Sequence, residues 1–475
     1  MNRFRAWKTF APPPVWTYAA AWTIVIGVIG SLRTWALYSG GFDLGFFVQA
    51  SRTGGTTVVP MAGFSLLQDH FSPLLIALGP VLRLLPVPYG LIWLQAFAVG
   101  ASIPLLWRLS RRPAPPVAWS WLLIVAYSLA APLLGAVYFD FHPTLLAAPL
   151  LLWFANATAA GSRAAFPAAI LAAATREDIA LLVLVLALLY VRRMPRVLGA
   201  AAVAAGSLFA LGRIVMTNTW FVDTAFAYVD WSSPGVTLRT ALASAWADGS
   251  LLLLLAGLIL PWPWLVGRRP DWRPLLAAAV LIVPLLLAAN PNTKQAGYHY
   301  YFPAVLLFAW AAAGAAPRPF DGSRARLALA AIGITVVFGP LVSSALTPVQ
   351  PAATTIVYRS ITDHEAISAS HDLLDCLPSG AAVAVSSPLQ PYTADSPSSY
   401  IWPHPFEDLV TVTGLEPLVT RTDAPVDYVV AHTSGLPRNA LNGSRIPNLA
   451  ANGYRMLTAS DWFEVWGRDA GAFDC

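Results

Sequence analysis

Apolar runs long enough to cross a bilayer recur from Val15 to Leu346 in this 475-residue chain, each near the roughly 20 residues that a spanning helix needs. Hydrophobic residues make up 57% and charged ones 11%, whereas a soluble chain is nearer half apolar and a quarter charged. That excludes an ordinary cytosolic enzyme. From Thr347 to Cys475 the composition turns soluble. The expected fold is an α-helical polytopic membrane protein of about 11 transmembrane helices with a small C-terminal extracytoplasmic α/β domain. The expected division is a transmembrane part over 1–346, with an extracytoplasmic first loop at 39–87, and an outer domain over 347–475.

After an uncleaved first helix, spans are expected near 88–109, 117–137, 143–159, 164–175, 178–191, 197–215, 250–266, 274–289, 299–316 and 327–346. With the N-terminus in the cytoplasm, the inner loops carry the arginines, among them Arg108, Arg111, Arg112, Arg192, Arg193, Arg196, Arg268, Arg269 and Arg273. This satisfies the positive-inside rule and places the C-terminal domain outside. The net charge of +5 therefore reflects orientation and not nucleic-acid binding. Segment 71–86 reads as helices along the outer surface, since a span there would reverse every later loop. Segments 164–175 and 178–191 are too short to cross singly and read as a broken pair. Downstream, Ala381–Ser386, Asp427–Ala431 and Trp462–Trp466 look strand-like. The two cysteines, Cys376 and Cys475, both fall in the outer domain, where an oxidising compartment permits a bridge.

Acidic residues gather on the expected outer side. Asp43 lies in Gly41-Phe42-Asp43-Leu44-Gly45, where a carboxylate suits a general base or a cation ligand; the plainer alternative is a solvated loop acid. Asp69-His70-Phe71-Ser72-Pro73 and Tyr138-Phe139-Asp140-Phe141-His142-Pro143 each pair a carboxylate with an imidazole. Such groups fit Mg²⁺ or Mn²⁺, with Asp43, Asp69 and Asp140 as candidate ligands, or a phosphate gripped by protonated His. An interfacial aromatic cluster is the alternative. Arg176-Glu177-Asp178 interrupts apolar sequence from Ala164 to Tyr190. Ionisable groups at membrane depth are costly and normally face a cavity or a partner; a structural ion pair joining two short helices is the other reading. Lys294 stands with His299 and Tyr300 in an outer loop, suited to an anionic headgroup or simply solvated.

In this order and spacing, Phe42-Asp43-Leu44-Gly45, His70-Phe71-Ser72-Pro73, Asp140-Phe141-His142-Pro143, Arg176-Glu177-Asp178 and Tyr298-His299-Tyr300 resemble a family of bacterial membrane proteins of unassigned function. That family is grouped with the GT-C superfamily of glycosyltransferases. The resemblance covers roughly residues 30 to 320 and implies a GT-C-like enzyme of the bacterial plasma membrane. Such enzymes take a sugar from a polyprenyl-phosphate donor on the extracytoplasmic side. It implies Asp43 as base or metal ligand and Arg176 as the basic residue of the break, where lysine is more common. Donor phosphate contacts are expected from Arg176, His70, His142, Lys294 and His299. Asp69, Asp140, Glu177 and Asp178 would line the same pocket.

The expected partners are the lipid bilayer, a lipid-linked sugar and an envelope glycan, lipid or protein acceptor. Two alternatives stand beside the transferase. A transporter of lipid-linked or small polar substrates also uses intramembrane charges, but alternating access predicts repeats and acids open to both faces. A non-catalytic envelope assembly protein would tolerate loss of Asp43.

Overall fold

Long Ala- and Leu-rich runs combine high helix propensity with few side chains that compete for the backbone, and helices dominate accordingly. The computed structural model describes residues 11–56, 58–59, 64–112, 117–216, 270–287, 299–314, 353–396, 398–402, 426–432, 449–450, 453–460 and 462–468, with a few isolated positions besides. In chain order its α-helices are α1 (Pro13–Trp35), α2 (Phe46–Thr53), α3 (Leu66–Asp69), α4 (Pro73–Leu82), α5 (Tyr89–Ser110), α6 (Val117–Ser128), α7 (Ala131–Tyr138) and α8 (Ala147–Ala159). There follow α9 (Ala165–Ala173), α10 (Glu177–Tyr190), α11 (Pro195–Val215), α12 (Trp272–Leu287), α13 (Phe302–Ala313), α14 (Ala353–Thr362), α15 (His364–Asp375) and α16 (Gln390–Thr393). A π-helix, Gly41–Gly45, leads into α2, and 3-10 turns occupy Pro143–Leu146, Val191–Arg193 and His299–Tyr301.

Among the described residues, α1, α5 and α11 are long and apolar enough to cross a membrane. The pair α6 and α7, bent by 49°, makes a fourth if counted as one span. The single span expected over 117–137 is thus two helices, parted ahead of Pro132, whose ring removes an amide donor and crowds the preceding turn. The spans expected at 143–159, 274–289 and 299–316 correspond to shorter apolar helices. Those expected at 250–266 and 327–346 lie outside the described residues. By length and composition three or four helices among the described residues qualify as crossings.

The chain divides into two compact units. The first comprises Met1–Gly27, Gln68–Leu74 and Leu94–Pro348. Its core is built on small residues: Ala165, Ala168, Ala169, Ala172 and Ala173 of α9 and Ala201, Ala202 and Ala205 of α11 are buried, which lets helix backbones approach closely. Several polar side chains inside it bond to one another or to backbone carbonyls. Tyr18 and Ser128 share a 2.6 Å hydrogen bond, Trp22 Nε1 donates to the Ser128 carbonyl at 3.1 Å, and Asn156 Nδ2 donates to the Leu105 carbonyl at 2.9 Å.

The second unit comprises Val28–Leu67, Leu75–Trp93 and Val349–Cys475. Within it, a two-stranded ribbon joins β1 (Val58–Val59) to β2 (Phe64–Ser65). A five-stranded sheet is built from β3 (Val383–Val385), β4 (Ser399–Ile401), β5 (Tyr428–His432), β6 (Arg455–Ala459) and β7 (Phe463–Gly467), in the order β4-β3-β5-β7-β6. The β4, β3 and β5 strands pair in parallel, and β7 runs antiparallel to both of its neighbours, β5 and β6. Alternation sorts the side chains: Val383, Val385, Tyr428 and Val430 enter one core with Leu373 of α15, and Ala384, Val429 and Ala431 enter another with Trp402 and Tyr454. Covering on both faces explains the nearly unbroken apolar run of β5. Strands β4 and β6 carry no such signature.

Segments from the N-terminal part of this unit pack on its sheet. Gln49, fully buried on α2, donates from Nε2 to the carbonyls of Ser396 at 3.0 Å and Ser399 at 3.1 Å. The Nε2–H of His371 donates to the Trp35 carbonyl at 2.9 Å. Burial holds the His371 pKa below its ordinary value, against smaller opposing effects of that carbonyl and of Asp375 and Asp372. Cys376, at the end of α15, is disulfide-bonded, while the other half of the expected bridge lies outside the described residues.

Candidate active site

In the first unit, α9 ends where Thr175 turns its hydroxyl back onto the Ala172 carbonyl at 2.6 Å, a local bond that competes with helix continuation. Arg176 then adopts an extended backbone, φ −167° and ψ 156°, and α10 opens with Glu177 and Asp178 in its first turn. Carboxylates there face the positive end of the helix dipole. The exposed Ala174 carbonyl is taken up by the Leu74 amide at 2.8 Å. The break expected between 164–175 and 178–191 is therefore a built feature that docks residues 68–74.

Around the break, segments distant in sequence meet one guanidinium. Arg176 Nη1 donates to Thr144 Oγ1 at 2.9 Å, and Nε lies 3.0 Å from Asp178 Oδ1 and 3.7 Å from Glu177 Oε1. Its side chain is 11% exposed. Asp69 and Tyr300 also lie within electrostatic reach of it. Glu177 Oε2 accepts the Phe71 amide at 3.1 Å. His70 sits between two carboxylates, Nε2 at 3.5 Å from Asp69 Oδ2 and Nδ1 at 3.9 Å from Glu177 Oε1. The Phe71 ring lies against Gly212 of α11, where an added Cβ would come within 3.1 Å of it.

The second Asp/His motif reaches this cluster through Thr144, two residues beyond His142. Asp140 and His142 are themselves buried. His142 Nδ1 lies 3.0 Å from the Asp140 carbonyl, and its amide donates to Gln95 Oε1 at 3.3 Å. Gln95, fully buried on α5, donates in turn to the Val137 carbonyl at 3.3 Å. Thr144 and Gln95 were not among the residues the motifs point to. A lone amide inside the apolar run Tyr89–Ser110 is a signal for Gln95; a threonine after proline gives none.

Asp43 belongs to the second unit, half-buried at the centre of the π-helix. The two glycines of its motif are there for close packing. A Cβ on Gly41 would meet Ile401 at 2.7 Å, and one on Gly45 would meet Gln390 Oε1 at 1.5 Å. The Gly41 amide donates to Ser387 Oγ at 3.1 Å. Gln390 is fully buried, and neither its Oε1 nor its Nε2 has a hydrogen-bond partner. Lys294 lies outside the described residues, and His299 is placed by its backbone, in the 3-10 turn His299–Tyr301 that packs against α7.

The family of predicted membrane proteins DUF2079 matches residues 33–411. The chain belongs to this family. Among curated proteins, no sequence match to this DUF2079 chain is found. Among solved structures, its fold is similar to that of ArnT from Cupriavidus metallidurans, determined bound to undecaprenyl phosphate. The TM-score is 0.50 and the identity 13%, over 96% of this chain and 99% of ArnT. At that identity the likeness is one of fold alone.

Charge decides what this DUF2079 cluster can do. Asp69, Glu177 and Asp178 outnumber Arg176. The carboxylates hold the guanidinium by its Nε edge, leaving the Nη2 side without a hydrogen bond among the described residues. Among the described residues no three His, Cys, Asp or Glu side chains are grouped so as to hold a metal ion.

Proposed function

We propose that this protein is a membrane glycosyltransferase that moves a sugar from a polyprenyl-phosphate donor to an extracytoplasmic acceptor of the cell envelope. One observation carries the reading: in a chain of ArnT-like fold, the Asp69-His70 motif, the segment after His142 and the Arg176-Glu177-Asp178 break meet around a single buried guanidinium. Buried charge of this kind is expensive and marks functional sites in membrane proteins.

Asp43 takes the proton of the acceptor hydroxyl, whose oxygen forms a bond to the anomeric carbon. The bond from that carbon to the phosphate oxygen breaks, and its electron pair leaves on the polyprenyl phosphate. A single displacement inverts the anomeric centre. Arg176 stabilises the departing phosphate through its Nη2 edge, joined by His70 when protonated. Glu177, Asp178 and Thr144 are positioning residues that fix the guanidinium. The surrounding carboxylates suit the positive charge that develops on the sugar ring.

The ion pairs of Arg176 with Glu177 and Asp178 also favour a second reading, a structural staple between α9 and α10. Native mass spectrometry of the purified protein with undecaprenyl phosphate separates the two. The transferase reading expects a retained lipid that Arg176→Lys largely keeps and Arg176→Gln loses while folding persists. Equal retention by the folded Arg176→Gln variant would leave the staple alone.

A further inference from the structure

At the opposite end of α10, a second charged cluster is built around an aromatic ring. The Tyr190 hydroxyl donates to Asp271 Oδ2 at 2.5 Å, and Asp271 Oδ1 accepts the Arg273 amide at 3.2 Å, capping the start of α12. The Tyr190 ring stacks on Trp310 at 5.5 Å with 4° between planes. Onto this fixed ring come two guanidiniums, those of Arg193 and Arg273, each 5.1 Å from the centroid. Asp271 offsets Arg273, at 3.4 Å. Arg193 is exposed and makes no ion pair among the described residues.

A guanidinium lying over an aromatic ring keeps its edge N–H donors free for a bidentate oxyanion. The ring here holds two such groups, each 5.1 Å from its centroid, at the end of the helix pair. Beside them, large apolar side chains face outward from the same helices: Leu188 of α10 is 54% exposed, and Trp272 and Leu276 of α12 are 57% and 47% exposed. Bare apolar surface next to paired cations matches a molecule with a phosphate at one end and acyl chains at the other. We infer that Arg193 and Arg273, held on Tyr190, seat the headgroup phosphate of an anionic phospholipid, in the leaflet that meets the arginine-rich loops. The inference is independent of the transferase reading.

Thermal denaturation of the full-length protein in mixed micelles tests it, with phosphatidylglycerol added against phosphatidylcholine alone. Phosphatidylglycerol should raise the midpoint, and inorganic phosphate should not. Arg193→Ala/Arg273→Ala should weaken the apparent affinity for phosphatidylglycerol by at least about tenfold, the worth of one charge-assisted bond. Arg192→Ala/Arg196→Ala, which removes equal charge from exposed positions on either side of Arg193, should keep most of it. Should the first double variant not fold, Arg193→Ala alone deletes just an exposed side chain and should still weaken binding. Equal loss in both pairs, or an unchanged response in the Arg193 variants, or an equal shift with inorganic phosphate, would overturn the site.

Discussion

Arg176 Nη1 donates to Thr144 Oγ1 across 2.9 Å, tying the Arg-Glu-Asp break to the segment that follows His142. A hydrogen bond to a charged, buried partner is worth about 1.5–3 kcal/mol. Thr144→Val should lower stability by that order and let the guanidinium drift, whereas Thr144→Ser should retain both. Denaturation midpoints of the two variants, read beside donor-lipid binding, check this.

Replacing Glu177 tests the docking of the first-loop segment. Its Oε2 accepts the Phe71 amide at 3.1 Å, so Glu177→Ala orphans a backbone donor and leaves Arg176 with less counter-charge. Removing one partner of a buried pair costs about 3–5 kcal/mol. Glu177→Gln keeps the acceptor oxygen and should cost clearly less. Limited proteolysis near residues 68–74 should report the difference.

Gln390 and Gly45 form a pair with an opposite sign. A buried amide without partners costs about 1–3 kcal/mol, so Gln390→Met should leave stability unchanged or raise it. Gly45→Ala forces its Cβ onto Gln390 Oε1, and overpacking of this kind costs about 1–3 kcal/mol. Because the clash is with that one side chain, Gln390→Ala should rescue Gly45→Ala. A double-mutant cycle in thermal denaturation measures the coupling.

Much of the site was legible because charge in apolar sequence is conspicuous. Arg176-Glu177-Asp178 stood out between Ala164 and Tyr190, and Asp69-His70 is the cluster that meets it. The glycines flanking Asp43 were visible too, but their reason was not, since Ile401 and Gln390 lie some 350 residues away. The same distance hid the packing of Gln49 on Ser396 and Ser399, which draws the first loop and the C-terminal sheet into one unit. Hydropathy does not see where a run such as 117–137 bends, and β4 was invisible in a Pro/Ser-rich stretch.

His371 gives the second unit a pH dependence. Burial lowers its pKa in the folded state, so the unfolded chain binds the proton more readily. Its contribution is fully present above the unfolded value of about 6.5 and is lost as pH falls from there through the folded pKa. Denaturation midpoints should therefore drop on acidification below about 6.5, and His371→Gln, which retains an N–H donor without the titration, should flatten that drop.

The central claim is met most directly by following a radiolabelled sugar from its polyprenyl phosphate in a purified, reconstituted system with cell-envelope acceptor present. The account predicts transfer with release of the lipid phosphate. It also predicts that folded Arg176→Ala and Asp43→Asn each lose roughly a hundredfold or more of the rate, the scale of removing one preorganised charge stabiliser. Transfer that continues unchanged in both variants, or a wild-type protein that leaves every labelled donor intact, would contradict it.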